Sequence, residues 1–394
     1  MSLSYRKPLA LLSSGHGCID LCQGAIPALL PTLMVQRHLT YTAAAGLIFA
    51  ANITSSIIQP AFGHYVDRVR ASWLMPLGLL LAGMGLACAS IAGSYWLIAL
   101  CVGLSGIGIA TFHPEAARLM NEVAGKQKAT GMSIFALGGN IGFALGPLAI
   151  TALLVLLGLR GVGVLLIPLV LMALILLFAT RNSLAHSENK RARNRQAGQK
   201  DAWWTFARLT GVILCRSIIF YGLNTFLPLY WISVLHQSPA AGGVALSMLL
   251  FVGLVGTFSG GRLADRYGRR RIVLLAFSLL LPCLLLFVLI GPLSPLLAWA
   301  LLVPIGWGLF APFSVMVVMG QELLPNHVGT ASGVTLGLAL TVGGLTAPLL
   351  GRVADLYGLS FALVGLAFLP LIAVGGALTL PRTEAEAVRL LAEG

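Results

Sequence analysis

Stretches of about twenty almost wholly apolar residues follow one another along this chain, most of them separated by very short breaks such as Gly93-Ser94. We place them near residues 9–35, 43–66, 72–92, 95–120, 129–157 and 162–180, then 209–235, 240–263, 272–291, 296–320, 330–350 and 361–380. With 58% hydrophobic and 9% charged residues, no water-soluble core could hide that surface. Long apolar runs, unlike short alternating ones, specify helices and not a β-barrel, because each helix satisfies its own backbone in lipid. The expected fold is therefore an all-α membrane protein with twelve transmembrane helices. The first run carries His16 and Asp20, which the apolar core of a secretory signal would not, so it reads as a retained helix.

A net charge of +13 suggests a nucleic-acid partner until its distribution is read. With twelve spans and a cytoplasmic amino terminus, 21 of the 25 Lys and Arg fall on the cytoplasmic side. Arg37, Arg160 and Arg352 fall outside, and Arg216 falls within a span. That asymmetry is the positive-inside signature, so the surplus orients the chain, with both termini cytoplasmic, and implies no nucleic acid. The exception to the short loops is 181–208, a basic stretch read as a cytoplasmic linker between bundles at 1–180 and 209–394, the second with a short cytoplasmic tail. Trp203 and Trp204 at its end read as an interfacial anchor. The six cysteines all fall inside spans and lack metal-site spacing, so neither disulfide nor metal is expected.

The stretch Gly261-Arg-Leu-Ala-Asp-Arg-Tyr-Gly-Arg-Arg-Arg271 lies between two apolar runs, and a degraded copy, Gly63-His-Tyr-Val-Asp-Arg-Val-Arg70, lies 198 residues earlier. Pro31 with Ala43-Ala-Ala-Gly46 matches Pro228 with Ala240-Ala-Gly-Gly243, and Pro147 matches Pro348. Offsets that stay near 200 mark a duplication, giving two pseudo-symmetric six-helix bundles about an axis along the membrane normal. The glycines, Gly63 and Gly261, would allow close helix approach, the acids, Asp67 and Asp265, would accept from a neighbouring helix start, and arginines including Arg68 and Arg266 would stay in water. The repeated signature resembles the loop after the second and eighth helices of major facilitator superfamily transporters. That resemblance implies a central cavity lined by the first, fourth, seventh and tenth helices, and Asp-Arg loops that latch the cytoplasmic gate. Gly351-Arg-Val-Ala-Asp-Leu-Tyr-Gly358 imitates the motif without the trailing arginines and reads as a turn with an incidental Asp355.

Ionisable residues inside a span are functional candidates by default. Here they are His16 and Asp20 in the first helix, His113 and Glu115 in the fourth, and Arg216 in the seventh. His16, Asp20 and Gln23 form one polar stripe at i, i+4, i+7. Asp20 stands about 16 Å into the helix at about 1.5 Å per residue, near mid-bilayer. A carboxylate there can exchange a proton with each side in turn, or serve as structural glue by pairing with Arg216 or Gln23. His16 could titrate near neutrality or simply pack. His113 could face the cavity or a neighbouring helix. Glu115 and Arg118, at i, i+3, could form a local ion pair; the superfamily resemblance implies instead a part in the cytoplasmic gate. Arg216 does not lose its proton, so it must meet an anion, an acid or a substrate. Gln23, Asn140, Tyr221, Asn224, Trp307 and Phe310 are candidate cavity walls, though such residues in spans also serve helix packing.

In the fifth helix Gly138, Gly142 and Gly146-Pro147 make a smooth face for helix approach with a kink at Pro147. This pattern also resembles the fifth-helix motif of proton-linked antiporters. The arginine that drug antiporters carry midway along the fourth helix is replaced here by Val102, ahead of Gly106-Ile-Gly108. Thr111-Phe-His-Pro-Glu-Ala-Ala-Arg118, Gly138-Gly-Asn-Ile-Gly-Phe-Ala-Leu-Gly-Pro147 and the first-helix Asp resemble the fosmidomycin-resistance group of bacterial facilitators. The resemblance implies a monomeric inner-membrane exporter of a small anionic compound, driven by protons and without a cofactor. An uptake symporter and a non-transporting sensor or lipid-handling protein are the competing readings. No phosphate-binding loop or catalytic arrangement points to an enzyme or an ATP-driven pump.

Overall fold

The computed structural model describes residues 3–66, 69, 71–124, 128–182, 201–327, 330, 331, 334, 335 and 339–381. Its first six α-helices are α1 (Leu3–Arg37), α2 (Tyr41–Val66), α3 (Leu74–Ile91), α4 (Tyr95–Ala124), α5 (Lys128–Leu157) and α6 (Leu166–Asn182). Among the described residues there follow α7 (Trp203–Ser233), α8 (Pro239–Tyr267), α9 (Arg269–Leu289), α10 (Pro295–Leu323), α11 (Ala339–Tyr357) and α12 (Leu359–Leu378). Among the described residues there is no strand, and ten helices are long and apolar enough to cross a membrane. The chain is a multi-pass, all-helical membrane protein.

Two compact units divide the chain, one of residues 1–191 with 238–247 and the other of residues 192–237 with 248–394. The opening of α8 thus groups with the first unit, whereas the sequence reading divides the chain only at its linker. Of that linker, residues 183–200 lie outside the described residues. Its far end is tied down within the second unit. Asp201 accepts from the Asn326 backbone N–H at 3.0 Å and from His327 Nδ1 at 2.6 Å.

In the first unit α1 lies along α5, and glycine sets the approach. A Cβ at Gly142 would fall on the Gly17 carbonyl, one at Gly138 on Ser13 and one at Gly146 on Leu21. Lipid offers no hydrophobic force between helices, so dispersion between closely approaching backbones must hold them. The same device joins α3 to α4, where a Cβ at Gly108 would meet the Gly78 carbonyl. Thr54 adds a hydrogen bond from α2 to the Gly103 carbonyl of α4 at 3.1 Å. On α6 the side chains of Ile167, Leu171 and Phe178 stay exposed, as suits a lipid-facing helix. Pro114 and Pro147 lie inside α4 and α5, which are assigned as helix on through them to Ala124 and Leu157.

In the second unit α7 packs on α11 and α12, and α9 on α10 and α12. An aromatic cluster fills its core: Trp231 lies 4.8 Å from Trp299 and 5.9 Å from Phe287, ring centroid to centroid. Tyr230 resolves its buried hydroxyl by donating to the Val288 carbonyl at 3.1 Å. Single glycines break the chain between α8 and α9 (Gly268, φ 97°) and between α11 and α12 (Gly358, φ 88°). The look-alike at 351–358 is therefore not a turn along its length: Gly351–Tyr357 is the end of α11, and Gly358 alone makes the turn.

Two expectations for the basic motif are corrected. Close approach to α10 belongs to Gly260, where a Cβ would strike the Ala311 backbone. At Gly261 a Cβ would meet Ser314 only at an ordinary 3.7 Å. Nor do all the arginines simply stay in water. Arg269 pairs with Glu322 at the end of α10, and Arg270 donates to the Ala377 and Leu378 carbonyls that end α12. These bonds satisfy carbonyls that a helix terminus leaves orphaned. Asp265 and Arg266 are exposed in the last turns of α8. Gly63 lies in α2 with its surroundings outside the description, and Asp67 and Arg68 lie outside the described residues.

Candidate functional site

Three of the ionisable residues singled out in the sequence converge in the first unit. The α1 helix carries His16 and Asp20 one turn apart, and the rotation of α4 brings His113 to the same carboxylate. His16 Nε2 lies 3.2 Å from Asp20 Oδ2, and His113 Nε2 lies 3.1 Å from Asp20 Oδ1. Each ring is held from behind by a backbone carbonyl: His16 Nδ1 is 2.8 Å from Phe135 O, and His113 Nδ1 is 2.8 Å from Ile109 O. A carbonyl can only accept, so both Nδ1 atoms carry hydrogen and both Nε2 atoms are turned to the acid.

The surround of the cluster fixes it further. His16 stacks on Phe135 with ring centroids 4.0 Å apart and meets the His113 ring edge-on at 5.0 Å. Gly139 of α5 forms the floor: a Cβ there would sit 2.5 Å from both Asp20 Oδ2 and His16 Nε2. Neither Phe135 nor Gly139 stands out in the sequence. Gly139 hides beside the Gly138–Gly142–Gly146 series, and only the facing of α5 onto α1 separates its role from theirs. His16 Nε2, His113 Nε2 and an Asp20 oxygen lie within 4.8 Å of one another, a donor set of the kind that divalent transition metals accept. Here each Nε2 lies within hydrogen-bond distance of a carboxylate oxygen. The alternative pairing of Asp20 with Gln23 is not adopted, for the hydrogen-bond partners of Asp20 in this unit are the two imidazoles.

Glu115 is fully buried, and both of its oxygens accept from Arg118, Nε at 2.7 Å and Nη2 at 2.5 Å. Arg118 also reaches Glu122, so one guanidinium bridges two acids along α4. Asn140 lies on an exposed face of α5.

The second unit holds Arg216, buried to 7% exposure on α7. Its guanidinium lies 4.6 Å from the centre of the Phe313 ring, its Nε has no hydrogen-bond partner, and no acid pairs with it among the described residues. Phe313 was not foreseen in the sequence, although it stands one turn beyond Phe310 on α10. Tyr221 and Asn224 are buried on α7, and Asn224 Oδ1 is likewise unpartnered. Of the residues expected to line a cavity, Trp307 Nε1 donates to Ser259 Oγ at 3.0 Å, and Phe310 meets Phe220 edge-on at 5.6 Å while lying over Gly253; both stay partly exposed.

Residues 12–348 match the family model of the Major Facilitator Superfamily. The chain belongs to the major facilitator superfamily. It is 32% identical to the uncharacterised MFS-type transporter YfnC of Bacillus subtilis strain 168, over 93% of this chain and 91% of that one. It is 29% identical to the fosmidomycin resistance protein of Escherichia coli K12, over 92% and 90%. In fold it resembles a bacterial homologue of the human lysosomal transporter Spinster, captured inward-facing and occupied. That match has a TM-score of 0.83 at 17% identity, covering 98% of this chain and 99% of the other. Relatives and fold are those of membrane transporters and not of enzymes.

Proposed function

We propose that this chain is a proton-coupled exporter of a small anionic organic compound. On this reading it has twelve spans and cytoplasmic termini and works as a monomer in the inner membrane by alternating access. The observation that carries the proposal is the His16–Asp20–His113 cluster, a carboxylate between two imidazoles in the middle of apolar helices. Intramembrane ionisable groups are costly and persist where they move ions or protons. Arg216, buried with no acidic partner among the described residues, supplies the positive charge that an anionic cargo would meet. The Glu115–Arg118 pair and the Asp-Arg loops are assigned to the cytoplasmic gate.

The similarity to a fosmidomycin resistance protein makes fosmidomycin, a phosphonate, the first cargo to try. Counterflow in proteoliposomes under an imposed pH gradient tests the proposal, comparing wild type with Asp20→Asn. Acid outside should drive accumulated cargo out of wild-type vesicles, while Asp20→Asn should exchange cargo but lose the pH-driven component. Cargo driven inward by outside acid would make the chain a symporter. A variant with unchanged pH response would remove Asp20 from coupling.

A further inference from the structure

We propose that the His16–Asp20–His113 cluster holds two exchangeable protons, not one. The inference rests on the reading that this cluster exchanges protons, but its test needs no transport.

The argument is a count of hydrogens. Both Nδ1 atoms face backbone carbonyls at 2.8 Å, so each ring spends one hydrogen there in every state of this geometry. Two contacts remain, His16 Nε2 to Oδ2 at 3.2 Å and His113 Nε2 to Oδ1 at 3.1 Å. Each joins a nitrogen to an oxygen, and each needs one hydrogen between them. Two neutral rings and an ionised carboxylate bring none, because lone pairs then face lone pairs. One added proton satisfies one contact, and only two satisfy both. The observed arrangement is therefore the doubly loaded form, with a net charge of plus one. It is either two imidazoliums about a carboxylate, or one imidazolium and one neutral ring about a carboxylic acid. Release of one proton gives a neutral cluster with one broken contact, and release of the second leaves the carboxylate between two neutral rings.

The surroundings of the two rings differ. His16 is clamped: it stacks on Phe135 at 4.0 Å, its Nδ1 is bound to a different helix, and Gly139 closes the space beneath it. His113 is bound only to Ile109 on its own helix, and its side chain is 21% exposed against 11% for His16. When a lone pair must turn away from Asp20, His113 is the ring able to turn.

Among the described residues of this unit, other charges near the cluster are few or already engaged. On α4, Glu115 stands two residues from His113 with both oxygens held by Arg118, which also holds Glu122. On α1 the neighbours are the thiols of Cys18 and Cys22, and α5 presents Phe135 and Gly139. Of the other helices packed on α1, α3 carries no charged residue, while His64 of α2 and Arg181 of α6 stand in terminal turns, as does Lys128 of α5.

The test is nuclear magnetic resonance of the purified full chain in nanodiscs, with ¹⁵N in the histidine rings and ¹³C in the aspartate carboxyls. Signals of His16 and His113 among the seven histidines are assigned with His16→Gln and His113→Gln. As pH falls, wild type should take up two protons in the cluster. His113→Gln should take up one, and Asp20→Asn should leave both rings as neutral Nδ1–H tautomers where wild type is loaded. Uptake of a single proton across the folded range would overturn the proposal. Thermal melting of each variant confirms folding, and the His113→Gln count stands without Asp20→Asn. Two titrating protons with pH-indifferent transport would sink the coupling reading and leave this one. One titrating proton with pH-driven transport would do the reverse.

Discussion

Gly139→Ala is the smallest change that should injure the cluster and spare the fold. The added methyl would begin 2.5 Å from Asp20 Oδ2 and His16 Nε2, and ordinary contact begins at 3.4 Å. Those side chains must therefore retreat by most of an ångström. The His16–Asp20 contact, now 3.2 Å, then passes beyond the range of a hydrogen bond. Loss of one charge-assisted bond costs about 1.5–3 kcal/mol, and local overpacking adds about 1–3 kcal/mol. Gly138→Ala is the control. Its methyl would collide with the Ser13 backbone, which cannot swing aside, so the α1–α5 contact itself must open. We expect Gly139→Ala to melt at a modestly lower temperature, to keep exchange of cargo and to lose pH-driven transport. Gly138→Ala should lose thermal stability more steeply and all transport in proportion. The assay pairs melting in detergent with counterflow under a pH gradient. A Gly139→Ala protein with wild-type pH response and unshifted histidine resonances would refute the geometry on which this reasoning stands.

Three further outcomes follow from individual contacts. Arg216→Lys keeps the charge but loses the planar fork and its face on Phe313. It should weaken binding of an anionic cargo by about tenfold, roughly 1.4 kcal/mol, in equilibrium binding, with little change in melting. Gly268→Ala forces a side chain into φ 97° between α8 and α9 and should cost about 1–2 kcal/mol in reversible unfolding. Trp307→Phe deletes the bond to Ser259 Oγ and should cost about 1 kcal/mol of stability while leaving cargo affinity near wild type, a result that would separate packing from cavity lining.

How much of this was legible in the chain follows from where the physics acts. Lipid cannot solvate a peptide group, so each apolar run must satisfy its backbone within itself, and hydropathy alone marks the helices. The same locality made the polar stripe of His16 and Asp20 readable, since i and i+4 share a helix face whatever the helix later meets. Position within the run likewise marked Arg216 as a buried cation needing an anion.

Pairing across the fold obeys no such rule. His113 is 93 residues from Asp20, and their meeting depends on how α4 is rotated against α1, a quantity that a step of about 100° per residue scrambles along the sequence. Neighbouring glycines show the same limit. Gly138 lies against a backbone and Gly139 beneath a carboxylate, yet in the sequence they are one dipeptide. Gly260 and Gly261 exchange roles for the same reason, and Trp307 turns to Ser259 because α8 and α10 cross there. Helix identity is a local property of apolar length, so the sequence by itself marked the helices, ten of which among the described residues are long and apolar enough to cross a membrane. Which faces touch is a property of packing between distant segments, and that only the tertiary structure decided.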